Sequence, residues 1–300
     1  MKLESLSAED LSYISKSELA ELTRLFSLMS GEVDLQQLWC LMDIVWDEMQ
    51  CDNKNLDIEK IEQYYQHPVW LLNGLFIESH QLSLEHRQAI VTWISNCYQI
   101  SKVLDFGGGV ATLARMMAKD SPHLSIDVYE PFPSQYSLSK SSAYQNIKFV
   151  SEVSSQYDCL ICTDVLEHVS DPLKLFAEMI DLVDIGGYLL MANHFFPSIK
   201  CHLPCTFHLR HTFNRFAHLM GLKKIQGLQN NYITVYRKES VLKFDWKNIR
   251  REEARSKRLF GFYEFRYLTL LWMERTQNFI KYPYKSFVKL KRKTLDTFKN

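Results

Sequence analysis

The sequence is short of the features that would assign its class at a glance. No uncharged apolar run reaches the roughly 18 residues of a bilayer-spanning helix, so a transmembrane segment is not expected. Met1 to Asp10 contains no apolar signal core, and no secretory signal is expected. Seven cysteines form an odd set without framework spacing, which argues against a disulfide-stapled fold and for a reduced, cytoplasmic setting. An excess of charge of one sign is also missing, with 35 Lys and Arg against 35 Asp and Glu. At 46% hydrophobic and 23% charged residues, disordered and collagen-like chains are excluded. The length of 300 residues suits about two units with a sizeable core.

Neutrality hides an asymmetry. Lys238 to Asn300 holds 17 Lys and Arg against 7 Asp and Glu, leaving 18 against 28 in residues 1–237. The body is acidic and the tail basic, so the body offers no broad phosphate-binding surface and nucleic acid is not expected as a partner.

Residues 1–100 carry helical periodicity and are expected to form an N-terminal cap. Lys16–Leu28 repeats Leu19, Leu22, Leu25 and Phe26, with Ser15 and Glu18 spaced as a capping box. Helices are predicted over Leu35–Met49, Ile58–Tyr65 and Ser83–Tyr98, the last capped by Ser83. The densest apolar stretch, His67–Phe76, is expected to pack on the following domain, with a substrate-facing role as the alternative.

From Lys102 strands alternate with helices of about 10–15 residues, which predicts a parallel sheet covered on both faces over residues 101–240. Strands are predicted at Val103–Phe106, Leu124–Tyr129, Ile147–Val150, Asp158–Thr163 and Tyr188–Asn193, with Gly186-Gly187 breaking the chain before the last. Lys223–Leu228 and Tyr232–Arg237, joined through Gln229-Asn230-Asn231, read as a hairpin that makes the final strand antiparallel.

Asp105-Phe106-Gly107-Gly108-Gly109 lies between a predicted strand and helix. Glycines there admit a ligand close to the backbone, beside the free N–H groups of a helix start. Glu130 ends the next strand, where a carboxylate can accept hydrogen bonds from ribose hydroxyls. A nicotinamide cofactor fits less well. Thr112 stands where its fingerprint needs a third small residue, and Asp105 would repel a phosphate but suits an ammonium group.

Four pieces in order, Val103–Gly109, Asp127–Pro131, Asp158–Val169 and Gly186–Leu190, together with the hairpin, resemble the class I S-adenosylmethionine-dependent methyltransferases of small-molecule type. The resemblance covers residues 102–237. It implies an α/β, Rossmann-like, doubly wound sheet of seven strands with an antiparallel last strand, here between helical N- and C-terminal extensions. It also implies S-adenosylmethionine as cofactor, bound by Asp105, Phe106, Gly107, Gly109, Glu130, Pro131, Thr163 and Asp164. The adenine contact is left open, since only Ser151 and Glu152 follow the third strand.

For the chemistry, His168 follows the fourth strand and suits a general base. Its alternative is a histidine that only fixes the loop. The cluster Cys201–His211 follows the fifth strand, and His208 and His211 are expected near the reacting atoms. Neither zinc at Cys201, Cys205, His208 and His211 nor a divalent ion at Asp164, Glu167 and His168 is the preferred reading, and no metal is expected. The absence of an Asn/Asp-Pro-Pro-Tyr motif disfavours methylation of base amino groups. The expected acceptor is a small molecule, sugar or lipid-linked compound methylated on oxygen. A non-catalytic scaffold that keeps the fold is the alternative.

The tail, residues 241–300, interleaves Arg250-Arg251, Arg255, Lys257-Arg258 and Lys289–Lys293 with Phe260, Phe262, Tyr263, Phe265, Tyr267 and Trp272. It is expected to be helical. It docks its aromatics into a core, rests on the anionic inner face of a membrane or binds another anionic partner.

Overall fold

A computed structural model describes residues 1–153, 156–241 and 243–281, and the chain divides into two compact units at Asp245/Trp246. Lys289–Lys293 lies outside the described residues. The first unit opens with helices α1 (Ala8–Ser12), α2 (Lys16–Ser27), α3 (Leu35–Glu48), α4 (Ile58–Gln66), α5 (Pro68–Ser79) and α6 (Gln81–Ser95). It continues as β1 (Lys102–Phe106), α7 (Thr112–Asp120), β2 (Ser125–Tyr129), α8 (Gln135–Ser141), β3 (Ile147–Val150) and β4 (Tyr157–Thr163). It ends with α9 (Pro172–Asp181), β5 (Val183–Ala192), α10 (Leu209–Leu219), β6 (Leu222–Leu228) and β7 (Ile233–Lys238).

The sheet order is β3-β2-β1-β4-β5-β7-β6. β1 to β5 are parallel, and β7 runs antiparallel to both β5 and β6. This is the Rossmann-like sheet expected. The hairpin turn places Gln229, Asn230 and Asn231 at φ of 47, 56 and 67°. Asn tolerates that left-handed region best after glycine. The order reverses between β1 and β4, which opens a crevice at the strands' carboxyl ends.

The expected capping box at α2 is present: Ser15 Oγ accepts from the Glu18 N–H, and the Glu18 carboxylate accepts from the Ser15 N–H at 2.8 Å. Two local expectations differ. α6 starts two residues before Ser83, which bonds the His80 ring at 2.9 Å instead of capping the helix. β5 begins at Val183 and runs through Gly186-Gly187. A shift in register against β4 accommodates this, and a Cβ on Gly187 would lie 2.8 Å from the Asp158 carbonyl oxygen.

The N-terminal helices divide between two cores. Ile90, Val91 and Ile94 of α6 join the sheet core with β1, α7 and β4. Helices α2 to α5 build a second core around Leu22, Leu38, Leu41, Tyr64 and Leu72, which reaches Val110, Tyr136, Ile199 and Cys201. His67 caps α5, its Nδ1 accepting from the Val69 N–H at 3.1 Å, and Pro68 fills the first helical position. One turn further, Gly74 meets the loop after β1. A Cβ on Gly74 would lie 2.2 Å from Val110 Cγ1.

The second unit's α11 (Trp246–Lys281) is a 36-residue helix, the helical tail that the sequence predicts. Phe262, Phe265, Tyr267 and Trp272 are exposed on it and do not dock into a core, while Phe260 and Tyr263 are half-buried. Among the described residues, no helix is long and apolar enough to cross a membrane.

The Gly74 contact predicts the cost of a methyl group. Gly74→Ala should destabilise the protein by about 1–3 kcal/mol through overpacking. Val110→Ala in the same chain should restore part of that, as read by thermal denaturation.

Candidate active site

A cavity of about 880 Å³ lies beyond the carboxyl ends of β1, β2 and β4, and residues of α2 to α6 form much of its wall. One end is built by strand-end loops. Gly107, at φ 73°, donates its N–H to the Tyr129 carbonyl at 2.7 Å. A Cβ on Gly107 would lie 2.5 Å from Val165, and one on Gly108 would lie 2.6 Å from Val128. At Gly107 and Gly108 the loop is therefore packed to the point where only glycine fits, and its backbone borders the cavity.

Asp105, the fourth residue of β1, is 2% exposed, and its Oδ2 has no hydrogen-bond partner among the described residues. Burial pushes its pKa up to about 7, with Arg87 pulling it down and Glu130 pushing it further up. Glu130 accepts from the Gly109 N–H at 2.8 Å and the Phe132 N–H at 3.3 Å. Burial raises its pKa against those two bonds. Asp164 follows β4 with φ 55° and accepts from the Tyr232 hydroxyl at 2.6 Å. Its carboxylate opens into a cavity walled by protein, so burial raises its pKa, opposed by Tyr232 and Arg87.

The other end is aromatic. Trp39, Tyr65 and Trp70 line it with His168, His194 and His202. Tyr65 and Trp70 pack with centroids 5.0 Å apart, and both meet the His168 ring edge-on at 5.9 and 5.6 Å. Trp70 Nε1 is buried without a partner among the described residues.

His168 Nδ1 lies 3.2 Å from the Cys201 carbonyl oxygen, and His202 Nδ1 lies 2.6 Å from that of Phe196. A carbonyl only accepts, so each Nδ1 carries the proton and each Nε2 keeps its lone pair. Burial holds His168 down at about 3 and His202 at about 4, so both rings are neutral at pH 7. Glu167, wholly buried, accepts from the His194 N–H at 2.8 Å and leaves Oε2 without a partner among the described residues. Glu167, His168 and His202 bring three ligand-type atoms within 4.8 Å of one another, the one such trio among the described residues. The sets weighed from the sequence, Cys201-Cys205-His208-His211 and Asp164-Glu167-His168, are not assembled there.

Of the residues expected to bind a cofactor, Asp105, Gly107, Gly109, Glu130, Pro131, Thr163 and Asp164 line this cavity. Phe106 does not. It turns into the sheet layer and packs on Tyr129 at 4.8 Å. His168 lines the cavity, but His208 and His211 are not in its wall, which corrects the expectation for the Cys201–His211 loop. His208, Thr212 and Phe216 share the buried face at the start of α10, so that ring enters helix packing. The loop reaches the cavity with His202 instead. Ser151 and Glu152 are absent from the wall, where Pro131 to Gln135 stand.

Several lining residues were not singled out from the sequence: Trp39, Tyr65, His86, Arg87, His194 and Tyr232, whereas Trp70 and Phe76 belong to the His67–Phe76 stretch for which a substrate-facing role was the alternative. Arg87 reads as a charge on the polar face of α6. Here it donates to the Ser83 carbonyl at 3.1 Å, and its field acts on Asp105 and Asp164. His86 stacks on Tyr232 with centroids 4.3 Å apart.

A family model described as "Methyltransferase domain" matches residues 80–236. Ubiquinone biosynthesis O-methyltransferase of Coxiella burnetii is 29% identical over 99 residues, 30% of this chain and 42% of that protein. The chain thus matches less than half the length of that relative. The Acinetobacter baumannii protein of the same name is 29% identical over 163 residues, 44% of this chain and 69% of its own. Among solved structures, human N-acetylserotonin methyltransferase in complex with SAM has a TM-score of 0.47 and 15% identity, covering 68% of this chain and 67% of that one.

The raised pKa of Asp105 makes a stability prediction. Its folded value, about 7, lies above the ordinary aspartate value of 3.8, so the folded state holds the extra proton between these limits. Stability from this group is complete below pH 4 and is lost as pH rises through 7, at about 1.4 kcal/mol per pH unit. Asp105→Asn should flatten that slope in denaturant titrations from pH 4 to 7, and an unchanged slope would refute the assignment.

Proposed function

The chain belongs to the methyltransferase-domain family, and on that premise we propose that it transfers a methyl group from S-adenosylmethionine to an oxygen of a small acceptor. The observation that carries this reading is one cavity holding an unpartnered buried carboxylate, Asp105, at its glycine-loop end and a neutral histidine, His168, at its aromatic end.

The residues fit that cofactor. The backbone cradle at Gly107 and Gly108 admits no side chain, and Asp105 Oδ2 lacks the donor that an ammonium group would provide. Arg87 is the cation on the same wall and suits a carboxylate. Glu130 would exchange its contact with the Gly109 N–H for ribose hydroxyls. Thr163 and Asp164 line the same cavity and would border the cofactor's flank. S-adenosylmethionine, when bound, supplies an electrophilic methyl on a sulfonium.

What remains for the protein is alignment and removal of a proton. Trp39, Tyr65 and Trp70 offer flat apolar faces on which an aromatic ring or the apolar face of a sugar can stack. The acceptor is a hydroxylated small molecule, sugar or lipid-linked compound whose hydroxyl reaches His168. The Cys201 carbonyl holds the proton on Nδ1, so Nε2 would take the acceptor's proton as the acceptor oxygen bonds to the methyl carbon and the carbon–sulfur bond breaks, its electron pair staying on sulfur. A base with its pKa near 3 accepts that proton only as charge develops on the oxygen. His202, held in the same tautomer, is the alternate base. Helices α2 to α5 wall this end and limit water around the developing charge.

Calorimetric titration with S-adenosylmethionine tests the first half of the proposal. A Kd of roughly micromolar order is expected, weakened at least tenfold in Asp105→Ala, with no heat from NAD. Folded protein that ignores S-adenosylmethionine would sink the reading. Formation of S-adenosylhomocysteine is then followed with hydroxylated aromatics, sugars and lipid-linked phenols. With the acceptor found, His168→Gln should lower kcat by about 10²-fold or more while cofactor affinity stays unchanged. An unaltered kcat would reduce His168 to a loop-fixing residue.

A further inference from the structure

The proposed reaction leaves α11 without a task. Taken by itself, that helix has an unusual stripe. Arg251, Arg255, Arg258, Phe262, Phe265 and Trp272 follow alternating steps of four and three residues, interrupted only at Thr269, and so lie along one face. All six are exposed. The first half of the stripe is cationic and the second half aromatic, a division that a soluble helix facing only water has no reason to keep. Leu268, Leu270 and Met273 are also exposed and widen the apolar zone around Trp272.

We propose that this face of α11 docks on an anionic lipid bilayer, with the three arginines at the headgroup phosphates and Phe262, Phe265 and Trp272 in the acyl boundary. Three observations favour a bilayer over a second copy of the chain. Two helices paired in parallel along this stripe would set Arg251, Arg255 and Arg258 against their own kind. The apolar zone, from Leu268 through Phe262 to Leu270, spans roughly 200° at 100° per residue, wider than the narrow seam that one partner helix covers. Charge is the third. Lys238 to Asn300 carries ten more cations than anions and residues 1–237 carry ten fewer, so a negative surface attracts the tail and repels the rest. Glu253 does not cancel the stripe's charge, because its carboxylate pairs with Arg250 at 2.8 Å and Lys257 at 2.7 Å, both off this face. Arg266 lies within the apolar arc, and its stem can lie along the boundary while the guanidinium reaches the phosphates.

Sedimentation of the full chain with extruded vesicles tests the proposal. Binding to phosphatidylglycerol-containing vesicles at 0.1 M salt should exceed binding to pure phosphatidylcholine by at least tenfold. The triple variant Phe262→Ser, Phe265→Ser, Trp272→Ser should lose at least tenfold in vesicle affinity while keeping the parent's unfolding transition. Arg251→Gln, Arg255→Gln, Arg258→Gln should bind more weakly and with a shallower salt dependence. Three results would overturn the idea. One is no preference for phosphatidylglycerol. Another is binding that survives the aromatic triple variant, which would assign it to charge alone. The third is a dimer without vesicles that the triple variant converts to monomer, which would assign the stripe to a second copy of the chain.

Discussion

The arrangement of the first unit depends on where the Glu78 carboxylate sits. At the last turn of α5 it accepts from the Arg115 guanidinium and, at 3.3 Å, from the Thr112 hydroxyl, both on α7. Its other oxygen accepts from the Tyr136 hydroxyl of α8 at 2.6 Å, and Lys140 lies 3.7 Å away. Lys140 in turn reaches Asp10 of α1 at 2.7 Å. A half-buried carboxylate with a single partner would be costly. With three donors and a second cation its desolvation is offset, and removing any one partner leaves charge stranded in low dielectric. The network ties the N-terminal helices to the two helices that follow β1 and β2, the strands whose ends hold Asp105 and Glu130.

That tie accounts for the electrostatics of the cavity. An open strand-end crevice would leave Asp105, Glu130 and Asp164 wetted and ordinary. With α5 seated on the glycine loop through Gly74 and Val110, Asp105 is buried while Glu130 and Asp164 face a cavity walled by protein, and all three carboxyls are pushed toward their neutral forms. The same enclosure keeps His168 and His202 neutral. Acids raised and histidines lowered within one cavity are the pattern expected of a site that binds a cationic ligand at one end and moves a proton at the other.

Much of this was legible in the chain. The strand and helix alternation from Lys102 announces itself through period and glycine placement, because a parallel sheet buried on both faces needs short apolar strands. Asp105, the glycines and Glu130 are legible for a related reason. They sit at strand ends, and a strand's end is a local property. Arg87 and Tyr232 were not, since nothing in their neighbourhoods tells a solvated arginine or a hairpin tyrosine from one folded over a strand end 18 or 68 residues away, at Asp105 or Asp164. His208 and His202 make the same point within one loop. Both are histidines near the fifth strand, and only the short turn at Pro204–Thr206 and the start of α10 decide which ring meets the cavity.

The sequence by itself determined the sheet, the loop that can cradle a cofactor, and the two acids beside it, because hydrophobic period, capping and glycine placement act over a few residues. It also determined the basic, aromatic character of the last helix. Only the tertiary structure decided which helices close the cavity, which histidine carries its lone pair inward, and which carboxyls lose their water. Those outcomes rest on contacts between segments far apart in the chain, where a difference of one helical turn separates a core residue from a residue at the site.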